Sequence, residues 1–79
     1  MKIPRDVNGA DLVRVLCTHF AYKAVHQVGS HIILQTEEPI HHRIAVPAHH
    51  PLRIGTLSSI LRAVAAAKQI DKREILRHV

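Results

Sequence analysis

The fold is decided by residues 22–36, which read YKAVHQVGSHIILQT. Two runs rich in β-branched residues, 22–28 and 31–36, flank the pair Gly29-Ser30. A two-residue link of this kind predicts a tight antiparallel hairpin, because glycine tolerates the positive φ of a primed turn. His31 then takes the first position of the returning strand. A fixed imidazole at the end of a hairpin indicates proton-transfer chemistry.

Counting outward from the turn predicts four cross-strand pairs: Val28 with His31, Gln27 with Ile32, His26 with Ile33, and Val25 with Leu34. In this register Val25, Ile32 and Leu34 face the core. His26 and His31 become diagonal neighbours on the open face, about 7–8 Å apart.

The segments around the hairpin complete a short α+β chain. Helical spacing of apolar residues predicts a first helix over 9–20 with Asn8 as its N-cap. A third strand is predicted over 43–46, ended by Pro47, which cannot donate to a sheet ladder. Short connections between the strands favour antiparallel pairing.

Two helices are predicted after the strands. One starts at Gly55-Thr56, and a short last one begins at Asp71 with Glu74 completing a capping box. The predicted order is αβββαα, a three-stranded antiparallel sheet with helices on one face.

Composition restricts the class of protein. The chain has 79 residues, 11 Lys and Arg against 6 Asp and Glu, and a formal charge of +5, which indicates a polyanionic partner such as nucleic acid. With a single Phe and a single Tyr, backbone contact is expected rather than base stacking. Cys17 is the only cysteine, which excludes a disulfide framework and suits a reducing compartment. No segment reaches membrane-spanning length, so we expect one soluble, cytoplasmic domain without membrane contact.

The basic residues nearest the predicted sheet and its loops are candidates for phosphate contact. They are Lys23, Arg43 and Arg53, although a merely solvated basic surface explains them nearly as well. Gly29 and Ser30 are expected to shape the turn.

The eight histidines do not predict a metal site. The adjacent pairs 41–42 and 49–50 point to opposite sides when extended, and the chain has neither a Cys pair nor a His-Glu-x-x-His motif. We therefore expect no metal and no cofactor.

Three short motifs occur in a characteristic order. They are Gly29-Ser30-His31, Val46-Pro47-Ala48-His49, and Gly55-Thr56-Leu57-Ser58-Ser59-Ile60-Leu61. In this order the chain closely resembles the HicA (YcfA-like) mRNA interferase toxins over roughly residues 9–78. The resemblance implies a double-stranded-RNA-binding-like fold, a single HicA-like domain over 1–79, and an endoribonuclease toxin with His31 as its catalytic residue. It also implies mRNA as the substrate and a HicB-like antitoxin as the partner.

Two positions depart from the family pattern. Many members have a Gly-aromatic pair at the end of the first helix, where this chain has Phe20-Ala21-Tyr22. The residue after the motif histidine, often histidine or another polar residue, is Ile32 here.

RNA supplies its own nucleophile in the ribose 2′-OH, so an imidazole that moves protons suffices for cleavage. One histidine does not readily act as both base and acid, and His26 is the geometric candidate for the second role, although it also reads as an ordinary surface residue. His49 could cap its loop or contact a phosphate. Two other classes stay open, namely a non-catalytic RNA-binding module and an adaptor that binds protein through its sheet edge.

The expected partner is an acidic antitoxin that covers His31 and the surface of Lys23, Arg43 and Arg53. The same face could instead mediate self-association, so a homo-oligomer stays open.

Overall fold

The computed structural model describes residues 3–79. It contains α1 (Gly9–His19), β1 (Lys23–Val28), β2 (His31–Thr36), β3 (His42–Pro47), α2 (Ile54–Lys68) and α3 (Lys72–Leu76). The strands lie in the order β1-β2-β3, and both neighbouring pairs are antiparallel. The predicted α+β fold with the order αβββαα is therefore confirmed, with element ends within a residue or two of the expected ones.

The caps of the first and last helices show how local sequence starts them. The Asn8 side chain accepts a hydrogen bond from the Asp11 amide at 2.8 Å, as an N-cap should. Asp71 caps α3, but its carboxylate accepts from the Arg73 amide at 2.9 Å. The capping box expected with Glu74 is wrong, because the Arg73 guanidinium also holds Asp71 and the Glu74 carboxylate pairs with Arg77.

A β-bulge in β1 corrects one of the four predicted cross-strand pairs. The register confirms the pairs of Val28, Gln27 and His26, but Ala24 rather than Val25 lies opposite Leu34. The bulge inserts Val25 as an extra residue, and its side chain is 46% exposed instead of facing the core. A strict two-residue alternation cannot anticipate this insertion.

The core lies between the helices and one face of the sheet. Its largest fully buried side chains come from all three helices and from β2 and β3: Leu12, Leu16, Leu34, Val46, Leu57, Leu61, Val64 and Ile75. Because side chains alternate along a strand, His31, Arg43 and Ala45 lie on the opposite face of the sheet, where they are exposed. One face of the sheet is thus left open to a ligand.

A polar cluster closes the end of the sheet that lies away from the hairpin turn. The Tyr22 hydroxyl lies 2.8 Å from His42 Nδ1, and Lys68 Nζ donates to Thr36 Oγ1 at 2.8 Å and to the Glu38 carbonyl. The same ammonium lies 4.9 Å from the Tyr22 ring centroid. Burial raises the pKa of Tyr22 to about 12. Burial, and then the charges of Lys68 and His41, lower the pKa of His42.

Ala21, which follows the C-cap residue of α1, carries backbone strain. Its φ is 61°, in the left-handed region that costs an L-residue about 1–2 kcal/mol. Glycine at this position would avoid that cost.

Within residues 3–79, none of the helices combines the length and the apolar character needed to cross a bilayer.

The depressed pKa of His42 predicts an acid-sensitive stability. The folded chain resists protonating His42 whereas the unfolded chain does not, so the unfolded state binds more protons below about pH 6.5 and stability falls there. The free energy of unfolding, measured with urea at pH 7.5 and pH 6.0, should decrease on acidification. His42→Gln should flatten this decrease, and His50→Gln, outside the Tyr22 contact, should keep it. An unchanged slope in His42→Gln would contradict the assignment.

Candidate functional site

His31 lies at the point where the hairpin returns, as the first residue of β2. Gly29 adopts the positive φ that the turn requires, 57°, and a Cβ at this position would meet no atom within 4 Å. His31 is paired on one side with Val28 and on the other with Pro47, so both neighbouring strands hold its backbone. The imidazole is exposed. The structure therefore presents a solvent-accessible proton-transfer group on a rigid element.

An open groove of about 580 Å³ runs beside His31 between β3 and α2. Its lining includes Pro47 from β3 and Gly55, Thr56 and Ser59 from the first turns of α2. These small residues leave space next to the imidazole, and the two hydroxyls offer hydrogen bonds to a polar ligand.

The loop after β3 is fastened to both the hairpin turn and α1. The Ala48 amide donates to the Ser30 carbonyl at 2.6 Å, and the Gly9 amide donates to the His49 carbonyl at 2.9 Å. His49 Nε2 lies 3.5 Å from Ser30 Oγ, at the outer limit for a hydrogen bond. His49 thus contacts the turn that precedes His31, but it does not line the groove.

Glycine at position 9 is required by a close approach between backbones. A Cβ there would lie 1.9 Å from the Pro47 carbonyl oxygen and 3.0 Å from the Ala48 Cα. The start of α1 therefore packs directly on the segment that links β3 to His49. This contact holds the segment 47–49 in its position beside the hairpin turn.

The candidate basic residues fall into two groups. Lys23 and Arg43 flank Gln35 in one row of the sheet, four residues along β2 from His31, or about 13 Å. Arg53 instead directly precedes α2, two residues before the groove-lining Gly55, and does not itself line the groove. The open face and the groove thus have separate cations, and the two groups are not clustered around His31.

These cations have no acidic counterpart on the strands. β1, β2 and β3 contain no Asp or Glu, and across residues 3–79 no carboxylate forms an ion pair with Lys23, Arg43 or Arg53. Arg43 donates to Gln35 Oε1 through Nε and Nη2, at 3.0 and 2.8 Å. Because Gln35 is neutral, the charge of Arg43 stays available to an anion.

His26 takes the place predicted for it. It pairs with Ile33, two residues along β2 from His31, so the two histidines are diagonal neighbours on the open face. Both imidazoles are exposed.

Another hollow, of about 500 Å³, lies at the far end of the hairpin. Lys23, Glu37 and Glu38 contribute to its lining, and its carboxylates oppose a phosphate ligand. The hydrogen bond from His41, then that from Gln35, lowers the pKa of Glu37, so this group stays anionic.

Among residues 3–79 there is no group of three or more His, Cys, Asp or Glu side chains that could hold a metal ion.

Comparison with known protein families shows which family the chain is similar to. A family model described as "HicA toxin of bacterial toxin-antitoxin" matches residues 9–66, which include all three sequence motifs. The chain belongs to the HicA toxin family. It is thus a toxin of a toxin–antitoxin system, and the family implies a cognate antitoxin. No curated protein and no solved structure was matched.

Sequence reasoning missed two residues that line the groove of this HicA family member. Thr56 and Ser59 are three positions apart, which places their hydroxyls on one face of α2. The motif that begins at Gly55 already contained both, but its spacing could not show that this face of the helix lines the same groove as His31.

The close approach at Gly9 gives a paired prediction. Gly9→Ala should lower the free energy of unfolding by about 2 kcal/mol, since overpacking a tight contact usually costs about 1–3 kcal/mol. Gly55→Ala is the matched control, because its Cβ would meet no atom within 4 Å. It should leave stability unchanged or raise it by up to about 1 kcal/mol. Urea denaturation followed by circular dichroism measures both, and a Gly9→Ala protein as stable as the wild type would refute the contact.

Proposed function

We propose that this HicA-family toxin is an endoribonuclease that cleaves mRNA without a metal ion, with His31 as its catalytic residue. The observation that carries the proposal is the convergence of the three motifs around one exposed imidazole. Ser30 and His31 contact the segment 47–49 at the end of the sheet that carries the hairpin turn. The start of α2 lines the groove beside His31.

The reaction needs little from the protein. The ribose 2′-oxygen attacks the adjacent phosphorus, the bond to the 5′-oxygen of the next nucleotide breaks, and a 2′,3′-cyclic phosphate forms. A proton leaves the 2′-OH and another reaches the departing oxygen, so an imidazole in contact with either atom accelerates the step. DNA lacks the 2′-OH and is therefore inert in this scheme.

We assign the main proton transfer to His31 because its imidazole is exposed, its backbone is held by both neighbouring strands, and it lines the groove. His26 is the candidate for the second proton transfer, since the register brings it diagonally next to His31 on the same face. Gly29 and Ser30 form the turn that holds His31, and His49 contacts that turn through Ser30.

The charge pattern supports an RNA backbone as the ligand. Lys23 and Arg43 on the open face, and Arg53 beside the groove, are cations without carboxylate partners in the described chain. We propose that they contact phosphates on either side of the cleaved linkage. Because such contacts read no bases, they supply affinity rather than sequence preference.

A non-catalytic RNA-binding module is the second candidate. The carboxylate-free strands favour it, because a cationic sheet face binds RNA whether or not a proton is transferred. The two candidates differ only in the fate of the bound RNA.

The partner in this scheme is a HicB-like, acidic antitoxin. Covering His31 and the surface of Lys23, Arg43 and Arg53 would block access of RNA to the site. Opposite charge would speed the capture of the toxin, and binding would also stabilise a chain with a small core.

Replacing the imidazole tests the assignment. His31→Ala should reduce the rate of RNA cleavage by about 100-fold to 10,000-fold, the usual contribution of general acid–base catalysis, and should abolish growth arrest. Cleavage by the wild type should persist in EDTA. The measurements are RNA cleavage in vitro and growth after tightly controlled expression, with circular dichroism to confirm folding.

His26→Ala tests the second proton transfer, and it should retain more activity than His31→Ala. If His26 takes part, its loss should also remove one limb of the pH–rate profile. Equal cleavage by wild type and His31→Ala would contradict the catalytic assignment. Binding of RNA without cleavage by the wild type would favour the binding module.

A further inference from the structure

β1 is an outer strand of the sheet and the most exposed element of the fold. All six of its residues are exposed, from Lys23 to Val28. α1 packs against part of β1. Across residues 3–79, the backbone of 25–28 makes no hydrogen bond outside the sheet. The second half of the edge is therefore available for strand pairing.

Apolar side chains accompany this free edge. Val28 is 59% exposed and Val25 is 46% exposed, which places them among the few large apolar residues with such exposure. The bulge turns Val25 out of the regular ladder, and the pairing is regular again from His26 to Val28. An edge with free backbone groups and adjacent exposed valines is suited to strand addition by a protein.

The charge of the sheet indicates which class of partner complements the edge of β1. Lys23 and His26 lie on β1, and none of the three strands contributes a carboxylate. A second copy of the chain would also carry a net charge of +5 and would bring cations against cations. An acidic strand complements the same edge. The exposed valines offer RNA neither charge nor hydrogen bonds, so they do not favour RNA as the ligand of this edge.

We propose that the outer edge of β1, from His26 to Val28, accepts an acidic β-strand of the cognate antitoxin. The inference rests on membership of the toxin family and not on the proposed cleavage reaction. Because Val28 is the cross-strand neighbour of His31, a strand docked on the outer edge of β1 would lie two strand spacings, or about 10 Å, from the strand of the candidate catalytic residue. Edge pairing would thus anchor the antitoxin beside the face that it must cover.

The test compares two equally exposed apolar positions in complexes with the purified cognate antitoxin. Val28→Glu should weaken binding roughly 100-fold, because a carboxylate at the edge repels an acidic strand and removes an apolar contact. Ile40→Glu, 55% exposed and in the connection between β2 and β3, should change affinity by less than about threefold. Calorimetry measures affinity. Hydrogen exchange across 26–28 reports pairing, because the alternate amides that point away from the sheet should exchange more slowly once they are bonded.

Several results would overturn the proposal. These are wild-type affinity in Val28→Glu, equal losses in both variants, or unchanged exchange at 26–28 in the complex. A toxin dimer that Val28→Glu converts to a monomer would assign the edge to a second copy instead. Slower exchange at 26–28 with an RNA oligonucleotide but not with the antitoxin would assign it to RNA. None of these measurements depends on cleavage, so they separate this inference from the proposed nuclease activity.

Discussion

The close packing of α1 on the end of β3 is the constraint from which the site follows. Gly9 allows the helix backbone to approach the Pro47 carbonyl, and its amide donates to the His49 carbonyl at 2.9 Å. The loop after β3 is thereby held against Ser30, the residue before His31. A side chain at position 9 would push these segments apart. The Gly29-Ser30-His31 and Val46-Pro47-Ala48-His49 motifs, which are distant in sequence, are therefore held together by backbone contacts.

Much of the fold follows from local sequence, because its signals are local. The Gly29-Ser30 turn fixes the register of the hairpin near it, and Asn8 caps α1 as expected. The pairing fails first at Val25, beyond the residues that the turn controls. The groove could not be predicted, because Thr56 and Ser59 line it together with His31 only through the packing of α2 against the sheet. Local patterns define elements, whereas sites between elements depend on tertiary contacts.

Acidic side chains and the cations of the sheet lie on different parts of the fold. Carboxylates lie on helices and connections, where Asp11, Glu37, Asp71 and Glu74 pair with basic side chains close in sequence. The strands carry cations and imidazoles without acids. Such an arrangement would favour the proposed RNA ligand on the open face, and it would equally favour an acidic inhibitor. One electrostatic feature thus supports both the proposed toxicity and its control.

The central claim is that the 2′-OH of RNA is the nucleophile and that His31 moves its proton. The most direct measurement uses an RNA oligonucleotide cleaved by the wild type, together with a copy that has a single 2′-deoxy nucleotide at the cleaved linkage, both in EDTA. The account predicts that the all-RNA strand is cut to a product ending in a 2′,3′-cyclic phosphate or its hydrolysis product, and that the substituted linkage stays intact. Cleavage at the 2′-deoxy position would contradict it.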